Sequence, residues 1–246
     1  MNREVQSVLL VLLGGAVLRI SLTDVHLRYV KPEFAPALVV GGAVLLALGL
    51  VGGVLDRAPT GDSDSDSDRD GHGHGRGTGP PVAWLLLLPV LAIFLVAPPA
   101  LGSYAAARDA GTVADPGPSD YPPLPAGDPI ETSVLDYATR AVWDQGRTLT
   151  GRTVRITGFV SLAEDSAASG NTWFLTRIAL SCCAADGRAF KIGILDDLQA
   201  PPADTWVEVT GEYVPTDVPP GEDVIPLLRA EQVRTVPPPR NPYDEG

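Results

Sequence analysis

The residues with the most chemistry in this chain lie in Arg177-Ile178-Ala179-Leu180-Ser181-Cys182-Cys183-Ala184-Ala185-Asp186. Two vicinal cysteines sit where an alternating apolar pattern stops and a turn begins. A disulfide between immediate neighbours closes a strained ring, so free thiols are expected. Thiolates are soft ligands that suit zinc, copper(I) or another thiophilic ion. Asp186 adds an oxygen donor, and a histidine or water would complete four-coordination. The competing reading has one cysteine in the core and the other incidental, since free cysteine buries readily. A redox role finds no CxxC spacing to support it. Arg177 is a candidate binding side chain. It belongs to the one basic cluster of the second half (Arg152, Arg155, Arg177, Arg188 and Lys191), which stands amid many acids. A second set of metal-type ligands is His72 and His74, beside Asp62, Asp64, Asp66, Asp68 and Asp70 in GDSDSDSDRDGHGHGRGTG. Imidazole and carboxylate together suit zinc, but a low-complexity segment fixes no geometry, so binding there is weak and unselective. A plain solvated linker is the favoured reading of this segment. Serine-protease order, P-loop, HExxH and dinucleotide fingerprints are all missing. The three histidines (His26, His72, His74) precede the β region. The chain is therefore read as a non-enzyme.

These residues must be positioned by a chain of 246 residues that carries 18 basic and 30 acidic side chains, a formal net charge of −12. The charge is uneven. Residues 102–246 hold 11 Lys/Arg against 21 Asp/Glu. So acidic a segment is repelled by phosphate backbones, which argues against a nucleic-acid partner. Residues 1–101 instead contain three apolar stretches: Val5 to Leu22, Phe34 to Leu55 and Val82 to Leu101, the last two without a charge. About 20 mostly apolar residues cross a bilayer as a helix, and each stretch lacks the polar face of a soluble helix. Gly14 and Gly15 in the first stretch, and Gly49 and Gly53 in the second, offer small faces for helix contact. Positive-inside counting favours a cytoplasmic N-terminus and an extracytoplasmic C-terminal domain.

The second half changes character. Proline, glycine and aspartate make 105–131 a spacer. Thr132 or Ser133 caps a helix over Val134 to Gln145, with Val134, Ala138, Ala141 and Val142 at helical spacing and Gly146 as terminator. From Arg152 the period is two. Strands are expected over Thr153–Val160, Asn171–Leu180, Arg188–Leu195, Thr205–Val214 and Val224–Val236, with an irregular insertion at Asp196–Asp204. Five strands in this arrangement suit an OB-fold barrel, with Gly158 and Gly211 at bulges or sharp bends. The fold class expected is a membrane protein with three transmembrane α-helices plus a C-terminal all-β, OB-fold-like five-stranded barrel. Its parts are 1–55 (two transmembrane helices), 56–80 (Asp/His/Gly-rich loop), 81–104 (third transmembrane helix), 105–131 (linker), 132–146 (short helix), 147–237 (barrel) and 238–246 (tail).

With these motifs in view, the chain resembles the YcgQ family of membrane permease subunits. The matching stretches are Tyr29-Val30-Lys31-Pro32, GRTVRITGFV at Gly151–Val160, RIALSCCAAD at Arg177–Asp186 and TWVEVTGE at Thr205–Glu212. The resemblance implies a multi-pass protein of the cell membrane working with a larger, multi-span YcgR-type permease that supplies the pore. It assigns no catalytic residue. Cys182, Cys183 and Asp186 carry over only as motif positions, and metal binding by them rests on their chemistry. The expected function is an accessory subunit whose barrel gates or delivers a substrate, with a divalent metal ion as the candidate. The alternative is a membrane-anchored sensor or scaffold whose barrel binds a protein or small ligand.

Overall fold

The structure is a computed structural model. It describes residues 3–55, 92, 99–109, 111–117, 121–162, 173–195, 200–216, 219 and 224–244. The chain divides into two compact units: Met1–His26 with Pro32–Pro99, and Leu27–Lys31 with Ala100–Gly246.

The described part of the first unit centres on two helices, α1 (Arg3–Ser21) and α2 (Ala35–Leu55). The stretch Pro32–Leu55 is 24 residues with a mean hydropathy of 2.5, long and apolar enough to cross a membrane. The apolar part of α1, Val5–Ser21, is shorter than such a span. Most of the third expected span and the whole loop with His72 and His74 lie outside the described residues; among the described residues, one helix meets the length criterion. Much of α2 exposes hydrocarbon, with Val40 at 64%, Val54 at 66% and Leu55 at 68% exposure.

The two helices approach through glycine. A Cβ added at Gly14 would stand 2.6 Å from the Leu46 nitrogen, one at Gly42 would stand 2.9 Å from Leu18 Cγ, and one at Gly49 would stand 2.8 Å from the Val11 nitrogen. Contact at this range brings backbones together, as apolar helices without a hydrophobic driving force require. The small face differs from the one expected. Gly15 meets nothing within 4 Å and a Cβ on Gly53 would touch only Ser7 Cβ at 3.9 Å, so the pairs GG and GxxxG each contribute one member to the contact. The partner of Gly49 on α2 is Gly42, seven residues away on the same helix face.

The second unit is built on a closed five-stranded barrel. Its strands are β2 (Thr153–Ser161), β3 (Trp173–Ala179), β4 (Arg188–Leu195), β5 (Trp206–Val214) and β6 (Leu227–Thr235). β2 pairs antiparallel with both β3 and β5, β3 with β4, and β5 with β6. The barrel closes through the parallel pairing of β4 with β6 at Gly193↔Leu227 and Ile194↔Leu228. This is the strand order expected of an OB-type barrel. Period-two side chains fill it: Val154, Ile156 and Val160 from β2, Trp173 and Leu175 from β3, Ile192 and Ile194 from β4, Val207 and Val209 from β5. Gly211 sits at a register shift in the β5–β6 ladder, as a bulge demands. Gly158 has no such shift. It admits the Thr176 carbonyl, 2.7 Å from where its Cβ would be.

The segment before the barrel supplies more than a spacer. It holds a short helix, α3 (Ser103–Ala107), and a two-residue strand, β1 (Ile130–Glu131), parallel to β2. Helix α4 (Val134–Trp143) then packs Val134, Tyr137 and Ala141 into the barrel core. Ser133 Oγ accepts the Asp136 N–H at 3.0 Å and caps it. The helix ends two residues before Gln145, which has a φ of 52° that no helix interior allows. The stretch after Val236, expected as a tail, returns to the sheet. Tyr243–Asp244 forms β7, parallel to β3 at Ile178↔Tyr243.

A side chain at Gly14 must separate two backbones, whereas one at Gly15 meets open space. Gly14→Ala is expected to destabilise the α1–α2 pair by about 1–3 kcal/mol. Gly15→Ala is expected to raise stability by up to about 1 kcal/mol through helix propensity. Thermal unfolding in detergent, read for both variants, checks the contrast. Equal shifts would contradict the interface described.

Candidate functional site

The vicinal cysteines lie in the short connection between β3 and β4. Leu180, 4% exposed, anchors one side of the turn in a small core with Ile178, Ala189 and Tyr243. A single turn of 3-10 helix, Ala184–Asp186, follows the cysteines, and Gly187 leads into β4. Asp186 sits three residues after Cys183, the spacing at which a helix's third residue reaches back to its cap. Its carboxylate accepts three backbone N–H groups: Ser181 at 2.7 Å, Cys182 at 2.8 Å and Cys183 at 3.2 Å. One acid thus turns three successive amides inward.

A strap lies across this turn. Residues 27–31 lie within the stretch of chain, 22–34, that joins α1 to α2, and they fold with the barrel unit. Val30 makes an antiparallel bridge with Cys183. The Lys31 N–H donates to the Cys182 carbonyl at 3.3 Å, and the Ala184 N–H donates to the Tyr29 carbonyl at 2.7 Å. Beside it, the Tyr243 hydroxyl donates to the Arg28 carbonyl at 2.7 Å and accepts the Leu101 N–H at 3.2 Å. Neither the strap nor Tyr243 was expected from the sequence. Tyr29-Val30-Lys31 reads as the approach to a helix, and Tyr243 as part of a polar tail.

Both thiols are free; Cys182 is exposed and Cys183 half-buried. The two sulfurs and an Asp186 oxygen all lie within 4.8 Å of one another. The Cys182 S–H donates to Asp186, and with the neighbouring Cys183 this pushes the Cys182 pKa from 9.0 up to about 12. The same thiol hydrogen bond, joined by those from the Ser181, Cys182 and Cys183 amides, lowers the Asp186 carboxyl to about 2. A thiol so held is a poor nucleophile at neutral pH, because the thiolate is the reactive form. A cation that displaces the proton finds sulfur and oxygen already converged.

The other expected residues are placed differently. Arg177 is not in the cysteine cluster. Its Nη2 donates to the Tyr243 carbonyl at 2.6 Å, and its guanidinium lies 5.1 Å from the centre of the Trp206 ring. It therefore ties β7 to β3. It also lines a groove of about 530 Å³ with Glu131, Ser133, Arg155, Glu208 and Asp244. Arg155 stands 3.5 Å from Glu131 and 3.8 Å from Glu208, and Asp244 accepts the Leu135 backbone N–H at 3.0 Å. His72 and His74 lie outside the described residues.

Residues 138–244 match the family model of the DUF1980 C-terminal domain. The match starts within α4 and ends on β7, so it takes in the barrel, the cysteine turn and Arg177 and leaves out the strap and both N-terminal helices. No curated protein and no solved structure matches the chain.

The two perturbed groups define a pH window for the turn. A carboxyl lowered to about 2 contributes stability above the ordinary Asp value of about 3.9 and loses it as pH falls through its folded pKa. A thiol raised to about 12 contributes below 9.0 and loses its contribution as pH rises through its folded pKa. Asp186→Asn removes the charge that holds the thiol proton. Alkylation of Cys182 by iodoacetamide at pH 8 is then expected to accelerate by at least about tenfold. An unchanged rate would show that Asp186 does not control the thiol.

Proposed function

We propose that this chain is an integral membrane accessory subunit of a two-component permease, and that its barrel domain gates or delivers a metal-ion substrate. The observation that carries the reading is the fastening of the barrel. The residues bonded across the exposed Cys182-Cys183 turn are those that join the apolar helices α1 and α2. The turn that this stretch crosses carries the one cluster of soft donors among the described residues.

Two further features support it. Helix α2 exposes valine and leucine along its length, which suits lipid or the helices of a larger partner. Two helices and a third apolar stretch at 82–101 are too few and too uniformly apolar to line a pore. A multi-span permease would supply it, and positive-inside counting over the loops favours an extracytoplasmic position for the acidic barrel. The excess of 21 Asp/Glu over 11 Lys/Arg in residues 102–246 would raise the local concentration of cations there.

Affinity capture of the full chain from its native membranes in mild detergent, followed by mass spectrometry, tests the reading. A multi-span permease in near-stoichiometric amount is the expected result. Capture of the chain alone would overturn it. A deletion strain gives the discriminating arm: altered metal content supports transport, and unchanged content with a soluble or signalling partner captured supports the scaffold alternative.

A further inference from the structure

We infer that Cys182, Cys183 and Asp186 form a three-donor site for a soft d10 cation, zinc or copper(I), with its fourth coordination position open so that the ion can be handed on. The hand-over part rests on the permease-subunit reading; the site itself does not.

The donors are set for such an ion. Two sulfurs and a carboxylate oxygen fall within 4.8 Å of one another. Zn–S bonds of 2.3 Å in a tetrahedron put ligands about 3.8 Å apart. Closing the cluster therefore needs a contraction of roughly an ångström, within reach of side-chain rotation at an exposed turn. A carboxylate has about four lone-pair sites. Three of them take the Ser181, Cys182 and Cys183 amides. A fourth is left for a cation, with both sulfurs within 4.8 Å. Ligation replaces the thiol hydrogens with the metal: each coordinating thiol releases one proton to solvent, and no electron is transferred. The amides keep their bonds, so the turn need not refold. A donor set of two sulfurs and one oxygen selects against magnesium and calcium, which want six or more oxygens.

The site is built for release rather than for structure. A structural zinc is closed by four protein ligands and holds its fold together. Here the turn is already held by Asp186, by Leu180 in its core and by the β3–β4 ladder. Three donors are present, and Cys182 is exposed. Water, or a ligand from a neighbouring protein, completes the shell. A fourth ligand that arrives with its own protein is the route by which the ion leaves.

The test uses the full-length chain in detergent, with thiols reduced and oxygen excluded. Zinc alone is titrated against a chelator of known affinity. Cadmium alone is used for its thiolate charge-transfer absorption. The expected result is one thiolate-bound ion per chain and at least about a tenfold loss of affinity in Cys182→Ser, a conservative change at an exposed position that leaves the barrel folded. His72→Ala with His74→Ala is expected to leave the cadmium–thiolate band unchanged. Equal binding in the wild type and in Cys182→Ser with Cys183→Ser, or absence of the band, would overturn the site. Release to excess chelator within seconds supports hand-over, and release over hours would overturn that part. Capturing the permease with the Cys182→Ser chain keeps the two readings apart: a retained partner with lost metal leaves the subunit reading intact, and a lost partner with retained metal leaves the site intact.

Discussion

One carboxylate organises the turn between β3 and β4 and the strap that crosses it. Asp186 draws the amides of Ser181, Cys182 and Cys183 toward a single point. That curvature turns the Cys182 carbonyl and the Ala184 N–H outward, where Lys31 and Tyr29 meet them. The same carboxylate lies within 4.8 Å of both sulfurs, so acid, thiols and strap meet at one turn. An exposed turn without it would be free to take many conformations, and neither a converged ligand set nor an antiparallel bridge would persist.

Beneath the turn, the barrel supplies rigidity and the C-terminus supplies the clamp. Leu180 and Tyr243 share a small core outside the barrel with Phe159, Ile178 and Ala189. The Tyr243 hydroxyl reaches both the Arg28 carbonyl and the Leu101 N–H, and the Arg177 guanidinium holds the Tyr243 carbonyl. Each of these joins segments far apart in the chain. They fix the strap where it crosses the turn, by polar bonds at its Arg28 and Lys31 ends.

Local pattern was readable in the sequence, and non-local pairing was not. Period-two alternation placed all five barrel strands to within a few residues, because each strand buries one face on a shared core. Ser133 and the 134-138-141 spacing placed α4 for the same reason. β7 escaped because Asn241-Pro242-Tyr243-Asp244 carries turn residues and no alternation; only its partner β3, more than sixty residues earlier, makes it a strand. The strap escaped similarly, since Pro32 directs attention to the helix that follows. Among the glycines, spacing alone could not tell Gly14 from Gly15, which differ only in what faces them. In the candidate site, residue types marked Cys182, Cys183 and Asp186 as candidate donors, but the task of Asp186 in accepting three amides needed the folded turn to be seen.

Amide hydrogen exchange at the turn and strap tests this dependence most directly. The account requires that Ser181, Cys182, Cys183, Lys31 and Ala184 exchange slowly in the wild-type chain, and that all five lose protection together in Asp186→Asn while the β2–β5 ladder keeps its own. Continued protection of Lys31 and Ala184 in that variant would mean that the strap holds without the carboxylate, and the central claim would be wrong.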